Sequence, residues 1–367
     1  MKILYYFKQF KTPMYLWQND HIFDELKHHN IEIDLFNPLD YENDDRANEK
    51  LISYVRKHPC DLFMTCHNEE ILHIDTLSEI KKLSIPTLLI CFDSLMTPMK
   101  HKNIAGMFDL VMISQNDVHG YFKKYNSNTI VSHYAANPYF FKADYNAETA
   151  NRICFPGTPY GSRAHIINKL VSAGIPVDLY YNRNKQASVS DDKPSGSEFK
   201  VISTLMKYPE GRKVIAGAAI EKLRGPQGLI TDSENIFLHN GVDLRTSNDI
   251  YSGHDLSLSV AIGRSTGNLK KPIQIVHLRN FEIPMCAGVQ LCQYFDELAE
   301  CFEDEKEIIF YRTDEEMIEK ARFYLNPANA SLRNSIRRNA RTRAEAEHTW
   351  FCRFNKAFGN LGLKVYE

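Results

Sequence analysis

The stretch RICFPGTPYGSRAHIINKLVSAGIPVDLYY, residues 152–181, decides the fold. It begins as a strand-like apolar run and passes through a turn that contains Gly157 and Gly161. It then places apolar residues at helical spacing and ends, after another glycine, in a second strand-like run. A strand, a helix and a strand within about 30 residues are typical of a βαβ unit with parallel strands. The sequence therefore predicts a Rossmann-like α/β domain around this stretch.

The residues before it alternate in the same way. Apolar runs such as KILYYF (2–7), IEIDLF (31–36) and PTLLICF (86–92) are separated by segments with helical periodicity. Continuously apolar strands between helices indicate a parallel sheet that is covered on both faces. We predict an N-terminal Rossmann-like domain over 1–145, a second one over 146–345, and a closing amphipathic helix within 346–367. Two such domains in tandem would face each other across a ligand-binding cleft.

Composition restricts the partners and the compartment. The 367 residues carry a formal net charge of −2, which argues against a nucleic-acid-binding protein. Eight scattered cysteines form no CxxC pair, and this favours free thiols in a reducing cytoplasm. No run approaches the ~18 apolar residues of a membrane-spanning helix. We expect a cytoplasmic protein, with contact to the inner face of the membrane as a further option.

Several motifs of well-known enzymes are missing. The loop after KILYYF has no GxGxxG, and the chain has no GxxxxGK[ST], HExxH or GxSxG. These gaps argue against a dinucleotide grip in the first domain, a P-loop ATPase, a metalloprotease and an α/β-hydrolase. The chain also lacks a DxD motif, so a metal-dependent diphosphate site has little support. We expect neither a bound metal nor a cofactor.

The glycine turn is the first candidate site. Gly157 and Gly161 permit close backbone approach, and Arg163 enters the helix that follows. The free N–H groups and partial positive charge of a helix N-terminus suit a phosphate. The alternative is an ordinary strand-to-helix turn.

The second candidate lies in LRNFEIPMCAGVQLC, residues 278–292. Arg279 and Glu282 are three positions apart and would share a helix face. With Pro284 in the first turn of a short helix, Glu282 would lie near the helix N-terminus at the cleft edge. A carboxylate there can accept hydrogen bonds from two vicinal ribose hydroxyls, and the arginine can hold a diphosphate. An Arg–Glu surface pair of little energetic value is the alternative.

The C-terminal half resembles the CgeB-like glycosyltransferases of the glycosyl transferases group 1 type. The resemblance covers most of 150–360 and is carried by the two segments above together with the later matches Phe281, Gly288, Phe310, Tyr311, His348 and Thr349. Two positions depart from the pattern. Gln274 stands where enzymes with an EX7E motif have the first glutamate, and Ala287 replaces the first glycine of the family's turn.

This resemblance implies a GT-B fold, with a closing helix that crosses back to the first domain, and a nucleotide-sugar donor held mainly by the second domain. Glu282 would bind the donor ribose, while Gly157, Arg163 and Arg279 would lie near the diphosphate and Gly288 in the adjoining turn. The implied reaction moves a sugar, for example from a UDP-sugar, to a glycan or lipid-linked acceptor in cell-surface polysaccharide assembly. Enzymes of this type need no metal.

Candidate catalytic residues follow strands of the first domain. His67 follows DLFMTC and Asp93 follows PTLLICF, where either could act as a base or bind substrate. A capped loop histidine and a helix N-cap, respectively, are the structural alternatives.

An arginine-rich helix near the C-terminus has two interpretations. Arginines at helical spacing can form a solvated face or attract anionic lipid headgroups, and the helix carries five of them: Arg333, Arg337, Arg338, Arg341 and Arg343.

Two alternatives to the transferase stay open. One is a sugar-nucleotide epimerase on the same scaffold, and the other is a non-catalytic protein whose two domains bind a small ligand.

Overall fold

The computed structural model describes residues 1–93, 98–182, 202–203, 205–224, 230 and 232–365. The chain divides into two compact units. Unit 1 comprises Met1–Phe140 and Thr349–Glu367, and unit 2 comprises Phe141–His348. Each unit contains a six-stranded parallel sheet with helices, which confirms the predicted α/β class with two Rossmann-like sheets.

Unit 1 has the strand order β2-β1-β3-β4-β5-β6, with every neighbouring pair parallel. Its strands are β1 Lys2–Tyr6, β2 Glu32–Phe36, β3 Leu62–Thr65, β4 Thr87–Cys91, β5 Leu110–Ile113 and β6 Thr129–Val131. Its α-helices are Pro13–Gln18, Asp24–His28, Asp44–Lys57, Ile74–Lys81, His119–Phe122 and Trp350–Asn360. The central strands β3 and β4 are buried along their whole length, as continuously apolar sequences predict.

Unit 2 has the order β12-β11-β10-β7-β8-β9, again parallel throughout. Its strands are β7 Ala150–Pro156, β8 Val177–Tyr180, β9 Ile236–His239, β10 His254–Ser259, β11 Gln290–Gln293 and β12 Ile309–Tyr311. Its α-helices are Ser162–Ser172, Pro209–Arg224, Leu244–Ser252, Arg279–Met285, Asp296–Ala299, Asp314–Leu325 and Ala330–Glu347. Apolar side chains on one face of this sheet pack with those of the helices Ser162–Ser172 and Asp314–Leu325.

The helix Trp350–Asn360 belongs to unit 1 although it follows unit 2 in the chain. The first three N–H groups of this helix all have acceptors. The Glu25 carboxylate accepts from the backbone N–H of Trp350 at 3.0 Å and of Phe351 at 2.7 Å. The Thr349 hydroxyl accepts from Cys352 N–H at 3.1 Å. Burial raises the pKa of Glu25 to about 7, and the two N–H donors oppose that shift.

The arginine-rich helix Ala330–Glu347 corrects an interpretation made from the sequence. Arg333, Arg337 and Arg341 are buried, so they form neither a solvated face nor a surface for lipid headgroups. Their guanidinium groups donate to backbone carbonyl oxygens where other segments end. Arg338 stacks on the Tyr145 ring and Arg343 pairs with Glu307, so these two also have partners within the protein.

All eight cysteines are free thiols, as the sequence predicts. Among the described residues, no helix is long and apolar enough to cross a membrane.

We expect Glu25→Ala to lower the free energy of unfolding of unit 1 by about 1–3 kcal/mol, because two buried N–H groups lose their acceptor. Glu25→Gln keeps one acceptor oxygen and should cost less. Urea unfolding measures both, and Glu42→Gln at an exposed position is the control. An unchanged unfolding midpoint for Glu25→Ala would contradict this account of the helix.

Candidate functional site

The carboxyl end of β7 leads into the predicted glycine turn. Gly157 has φ +149°, a conformation that favours glycine, and its N–H donates to Tyr180 O at 2.8 Å. A Cβ built on Gly157 would lie 2.9 Å from Nη2 of Arg279. Glycine is therefore required here because the backbone turns tightly and because a guanidinium group lies against it.

The helix Ser162–Ser172 starts directly after this turn. Gly161 stands at its N-cap with φ +54°, and no side chain caps the first turn. The backbone N–H groups of a first turn have no partner within the helix and carry partial positive charge. This helix start can therefore bind an anion.

Arg163 and Arg279 both lie near the Phe155 ring. The guanidinium carbons are 5.9 and 5.1 Å from the ring centroid, respectively. Arg279 donates from Nη2 to Pro156 O at 2.6 Å and from Nε to the Tyr251 hydroxyl at 3.2 Å. Arg163 makes only a long bond, 3.4 Å, to Thr158 O. Nε of Arg163 and Nη1 of Arg279 are buried without a hydrogen-bond partner.

These arginines create a local excess of positive charge. Among the described residues, neither has a carboxylate within ion-pair distance. Burial and the neighbouring Arg279 lower the pKa of Arg163 to about 10. Burial and both arginines lower the pKa of His277 to about 3, so this imidazole is neutral at physiological pH. The cluster is electrostatically suited to an anion with several oxygen atoms.

Glu282 lies on the same helix as Arg279, one turn further along. The helix runs from Arg279 to Met285 and has Glu282 in its first turn, as expected. Pro284, however, is near the end of the helix, so its predicted place in the first turn was wrong. Because proline has no N–H, the bond to Asn280 O that a residue at this position would make is missing from the helix. Glu282 is only 6% exposed, which excludes the alternative of a surface Arg–Glu pair.

The turn after this helix explains the alanine that departs from the family pattern. Gly288 N–H donates to Ile283 O and Ala287 N–H to Pro284 O, both at 2.9 Å. This is a Schellman motif, and Ala287 occupies its left-handed position with φ +53°. Gly288 is buried, and a Cβ there would lie 2.9 Å from Cγ2 of Ile283 and 3.0 Å from Tyr251 O. The contacts of Gly288 are thus with protein, and its donor-binding role stays a prediction.

Gln274, at the other departure, donates from its side-chain amide to Tyr294 O at 3.0 Å. It therefore has a structural partner within unit 2.

His67 lies after β3 in unit 1 and is half-buried. Its Nε2 accepts a hydrogen bond from Lys8 N–H at 2.8 Å, and its ring stacks on Phe7 with centroids 5.7 Å apart. Burial and the nearby His101 lower the pKa of His67 to about 4. The lone pair that a general base would use is therefore already engaged, and a neutral ring then carries its proton on Nδ1.

Asp93 follows the adjacent strand β4 and is exposed. Its backbone has φ +50°, an uncommon value that aspartate tolerates better than most residues. Oδ1 of Asp93 accepts from the Tyr134 hydroxyl at 2.8 Å. The residues that the Asp93 N-cap alternative would involve, 94–97, lie outside the described residues.

The structure thus brings together Gly157, Arg163 and Arg279, with Glu282 on the helix of Arg279, and places His67 and Asp93 in unit 1. Two further residues of the site were not predicted from the sequence. Tyr251 accepts a hydrogen bond from Arg279, and the pKa of His277 is lowered by both arginines. The sequence HLRN could have indicated His277. A histidine two positions before a candidate phosphate-binding arginine is close enough to feel the positive charge of that arginine. Within the described part of the chain, no group of three or more His, Cys, Asp or Glu side chains is placed to hold a metal ion.

Comparisons with known proteins agree with this fold. The family model of glycosyl transferase-like proteins matches residues 198–358. No curated protein sequence matches the chain. Solved structures match over nearly the whole chain, although sequence identity is low.

A glycosyltransferase from Rickettsia africae is 11% identical, with a TM-score of 0.56 over 98% of this chain and 97% of its own. Anabaena Alr3699/HepE in complex with UDP is 13% identical, with a TM-score of 0.57 over 99% and 100%. Sucrose-phosphate synthase from Thermosynechococcus elongatus is 13% identical, with a TM-score of 0.54 over 99% of both chains. These likenesses confirm the predicted fold class, and the family model adds a match to glycosyl transferase-like proteins over residues 198–358.

We expect Ala287→Gly to raise the free energy of unfolding by about 0.5–1 kcal/mol, because glycine relieves the left-handed strain of a non-glycine residue. Gly288→Ala should lower it by about 1–3 kcal/mol, because the added methyl meets Ile283 and a backbone carbonyl. Chemical denaturation of the two variants beside the wild type provides the measurement. Equal stabilities for all three proteins would refute the Schellman assignment.

The lowered pKa of His67 predicts a pH dependence of stability. The unfolded state binds a proton near pH 6.5, whereas folded His67 binds one only near pH 4. The free energy of unfolding therefore falls as pH decreases from 6.5 towards 4, by at most about 1.4 kcal/mol per pH unit from this residue. His67→Gln should show a shallower fall in urea unfolding across this range. A slope identical to that of the wild type would contradict the assignment.

Proposed function

We propose that the protein is a glycosyltransferase that moves a sugar from a nucleotide-sugar donor, specifically a UDP-sugar, to an acceptor hydroxyl. The observation that carries the proposal is the pair Arg163 and Arg279. Both guanidinium groups have a buried nitrogen without a hydrogen-bond partner, and neither pairs with a carboxylate among the described residues. Such nitrogens are costly to bury unless a ligand provides their acceptors.

The donor diphosphate would fill this need. Arg163 is the second residue of a helix whose first turn lacks a side-chain cap, so the guanidinium and the helix N–H groups act from one place. Arg279 is anchored to Pro156 O and therefore stays beside the glycine turn. Phosphate oxygens would accept hydrogen bonds from both arginines and from the backbone.

Glu282 would bind the ribose of the donor. It lies one helical turn after Arg279, so a nucleotide whose diphosphate reaches the arginine can bring its ribose to the carboxylate. The two carboxylate oxygens can accept from the two vicinal hydroxyls of a ribose. Because Glu282 is buried, its own position is fixed by the surrounding side chains before the donor binds.

The same groups would assist the chemical step. Transfer breaks the bond between the sugar C1 and the diphosphate oxygen and forms a bond from C1 to the acceptor oxygen. The electron pair stays with the diphosphate, whose increased negative charge Arg163, Arg279 and the helix N-terminus would stabilise. The proposal needs no metal, because these positive charges take the role that a divalent cation has in metal-dependent enzymes.

Unit 1 would serve the acceptor. In this proposal Asp93 is the general base that takes the proton of the acceptor hydroxyl. Its carboxylate is exposed, and only Oδ1 accepts a hydrogen bond from the Tyr134 hydroxyl among the described residues. His67 suits a different role, because its Nε2 is engaged by Lys8 N–H and only Nδ1 remains to donate to a substrate oxygen.

The structural relatives support the choice of donor and suggest the wider role. Anabaena Alr3699/HepE is described with UDP and glucose, and an α-glucosyltransferase of 12% identity is described with UDP and DNA. We extend the proposal to a CgeB-like enzyme that acts in the cytoplasm or at the inner face of the membrane. Its acceptor would be a glycan or lipid-linked molecule of cell-surface polysaccharide assembly.

Arg163→Gln tests the proposal with little structural disturbance, because this side chain makes only one long hydrogen bond. Loss of a charge-assisted hydrogen bond worth about 1.5–3 kcal/mol should weaken UDP binding about 10- to 100-fold. Isothermal titration with UDP measures the affinity. Arg312→Gln is the matched control, because Arg312 is exposed in the same unit, stacks on Tyr294 and lies near Glu316 rather than at the glycine turn.

UDP affinity that is equal in Arg163→Gln and in the wild type would sink the proposed donor site. With UDP-glucose, release of UDP and glucose or a glucosylated product indicates a transferase. Conversion to an isomeric UDP-sugar would indicate the epimerase, and binding without turnover would indicate the binding protein.

A further inference from the structure

Unit 2 contains a polar cavity that the proposed donor site does not use. Its volume is about 260 Å³. It lies beside the amino ends of β7 and β10, whereas the glycine turn follows the carboxyl end of β7. Its polar lining includes Glu148, Thr149, Asp255, Arg333, Asn334 and Arg337.

One pair of charges in the lining is already balanced. Arg333 Nη2 lies 3.0 Å from Asp255 Oδ2, and both side chains are buried. Asp255 also accepts from the Thr149 hydroxyl at 2.6 Å. This ion pair is therefore internally satisfied and offers little net charge to a ligand.

Arg337 differs from Arg333 because it has no carboxylate partner. It is 4% exposed and donates to three neutral backbone oxygens: Asp144 O at 2.9 Å, Ser252 O at 3.0 Å and Ala287 O at 2.8 Å. Within the described residues, no carboxylate is within ion-pair distance of its guanidinium. Arg337 is thus a buried cation beside a cavity large enough for more than water, and its Nη1 has no acceptor among the described residues.

Two exposed side chains at the rim of the cavity can change the affinity for a ligand. Asn334 lies one helical position after Arg333 and is exposed, so its amide can donate to an incoming oxyanion. Glu148 is also exposed and contributes the only lining carboxylate that lacks an arginine partner among the described residues. Nε and Nη2 of Arg337 donate to backbone oxygens, so Nη1 is the nitrogen that can donate to a phosphate oxygen in the cavity.

We propose that this cavity is a second ligand site of unit 2, which binds a small phosphate-bearing anion through Arg337 and Asn334. The site lies at the amino ends of the strands, so its ligand is distinct from the sugar donor. Its volume exceeds that of inorganic phosphate, which leaves room for a small organic group esterified to the phosphate.

The test is a titration with inorganic phosphate, followed by isothermal calorimetry, on the full chain and four variants, one of which is Arg163→Gln. Asn334→Asp places a negative charge on the rim and should weaken phosphate binding roughly fivefold. Glu148→Gln removes one and should strengthen it by a similar factor. Both positions are exposed, so neither change disturbs the core. Glu319→Gln, an exposed change of equal charge on the helix Asp314–Leu325, should leave the affinity unchanged.

Opposite shifts for Asn334→Asp and Glu148→Gln support the site. The proposed site is refuted if neither substitution changes the phosphate affinity. It is also refuted if the wild-type protein does not bind phosphate at millimolar concentration. If the affinity falls only in Arg163→Gln, the phosphate binds at the proposed donor site and the second site is refuted. This outcome leaves the glycosyltransferase proposal intact, so the two proposals can fail separately.

Discussion

Backbone carbonyl groups at the ends of helices are satisfied in unit 2 by arginines from a single helix, Ala330–Glu347. Arg333 donates to Tyr324 O and Asn326 O, at the end of the helix Asp314–Leu325. Arg337 reaches Ser252 O and Ala287 O, and Arg341 reaches Met285 O. The last carbonyls of a helix have no partner within it and carry partial negative charge. The three buried arginines are therefore stabilised by helix-end carbonyl groups, together with Asp255 for Arg333 and Glu345 for Arg341. The same bonds hold the ends of the helices that carry Tyr251, Arg279 and Glu282.

At the carboxyl ends of the strands of the same sheet, positive charge is in excess instead of being compensated. Arg163 and Arg279 are near the start of a helix, where the partial charge is also positive, and no carboxylate of the described residues lies within ion-pair distance of them. Burial and repulsion by Arg279 lower the pKa of Arg163, and burial and repulsion by both arginines lower the pKa of His277. An arrangement that weakens the unliganded protein strengthens the binding of an anion. The stability supplied by the arginines at the helix ends is what allows this strained cluster to persist.

Much of the fold could be predicted from the sequence, because strands that are buried on both faces must be apolar throughout and glycines must stand where the chain turns sharply. The same reasoning placed Gly157 and Arg163 at one turn, and the family resemblance added Arg279 to them. It failed for Arg333, Arg337 and Arg341, since an arginine at helical spacing is usually exposed and only the carbonyl ends of distant segments reveal its burial. Pro284 was misplaced because proline is usually tolerated only in the first turn of a helix, whereas here it stands near the end. Tyr251 was missed because it comes from a helix that no local pattern connects to Arg279.

The passage of the chain from His348 to Thr349 has a consequence for biosynthesis. His348 belongs to unit 2, whereas Thr349 begins the segment that completes unit 1. Trp350, Phe354 and Phe358 from that segment are buried, so the early strands emerge from the ribosome without part of their core. At about 5–20 residues per second, the roughly 200 residues of unit 2 delay this completion by on the order of 10–40 seconds. The nascent N-terminal sheet must therefore stay soluble with an open apolar groove until the ribosome has finished the intervening unit.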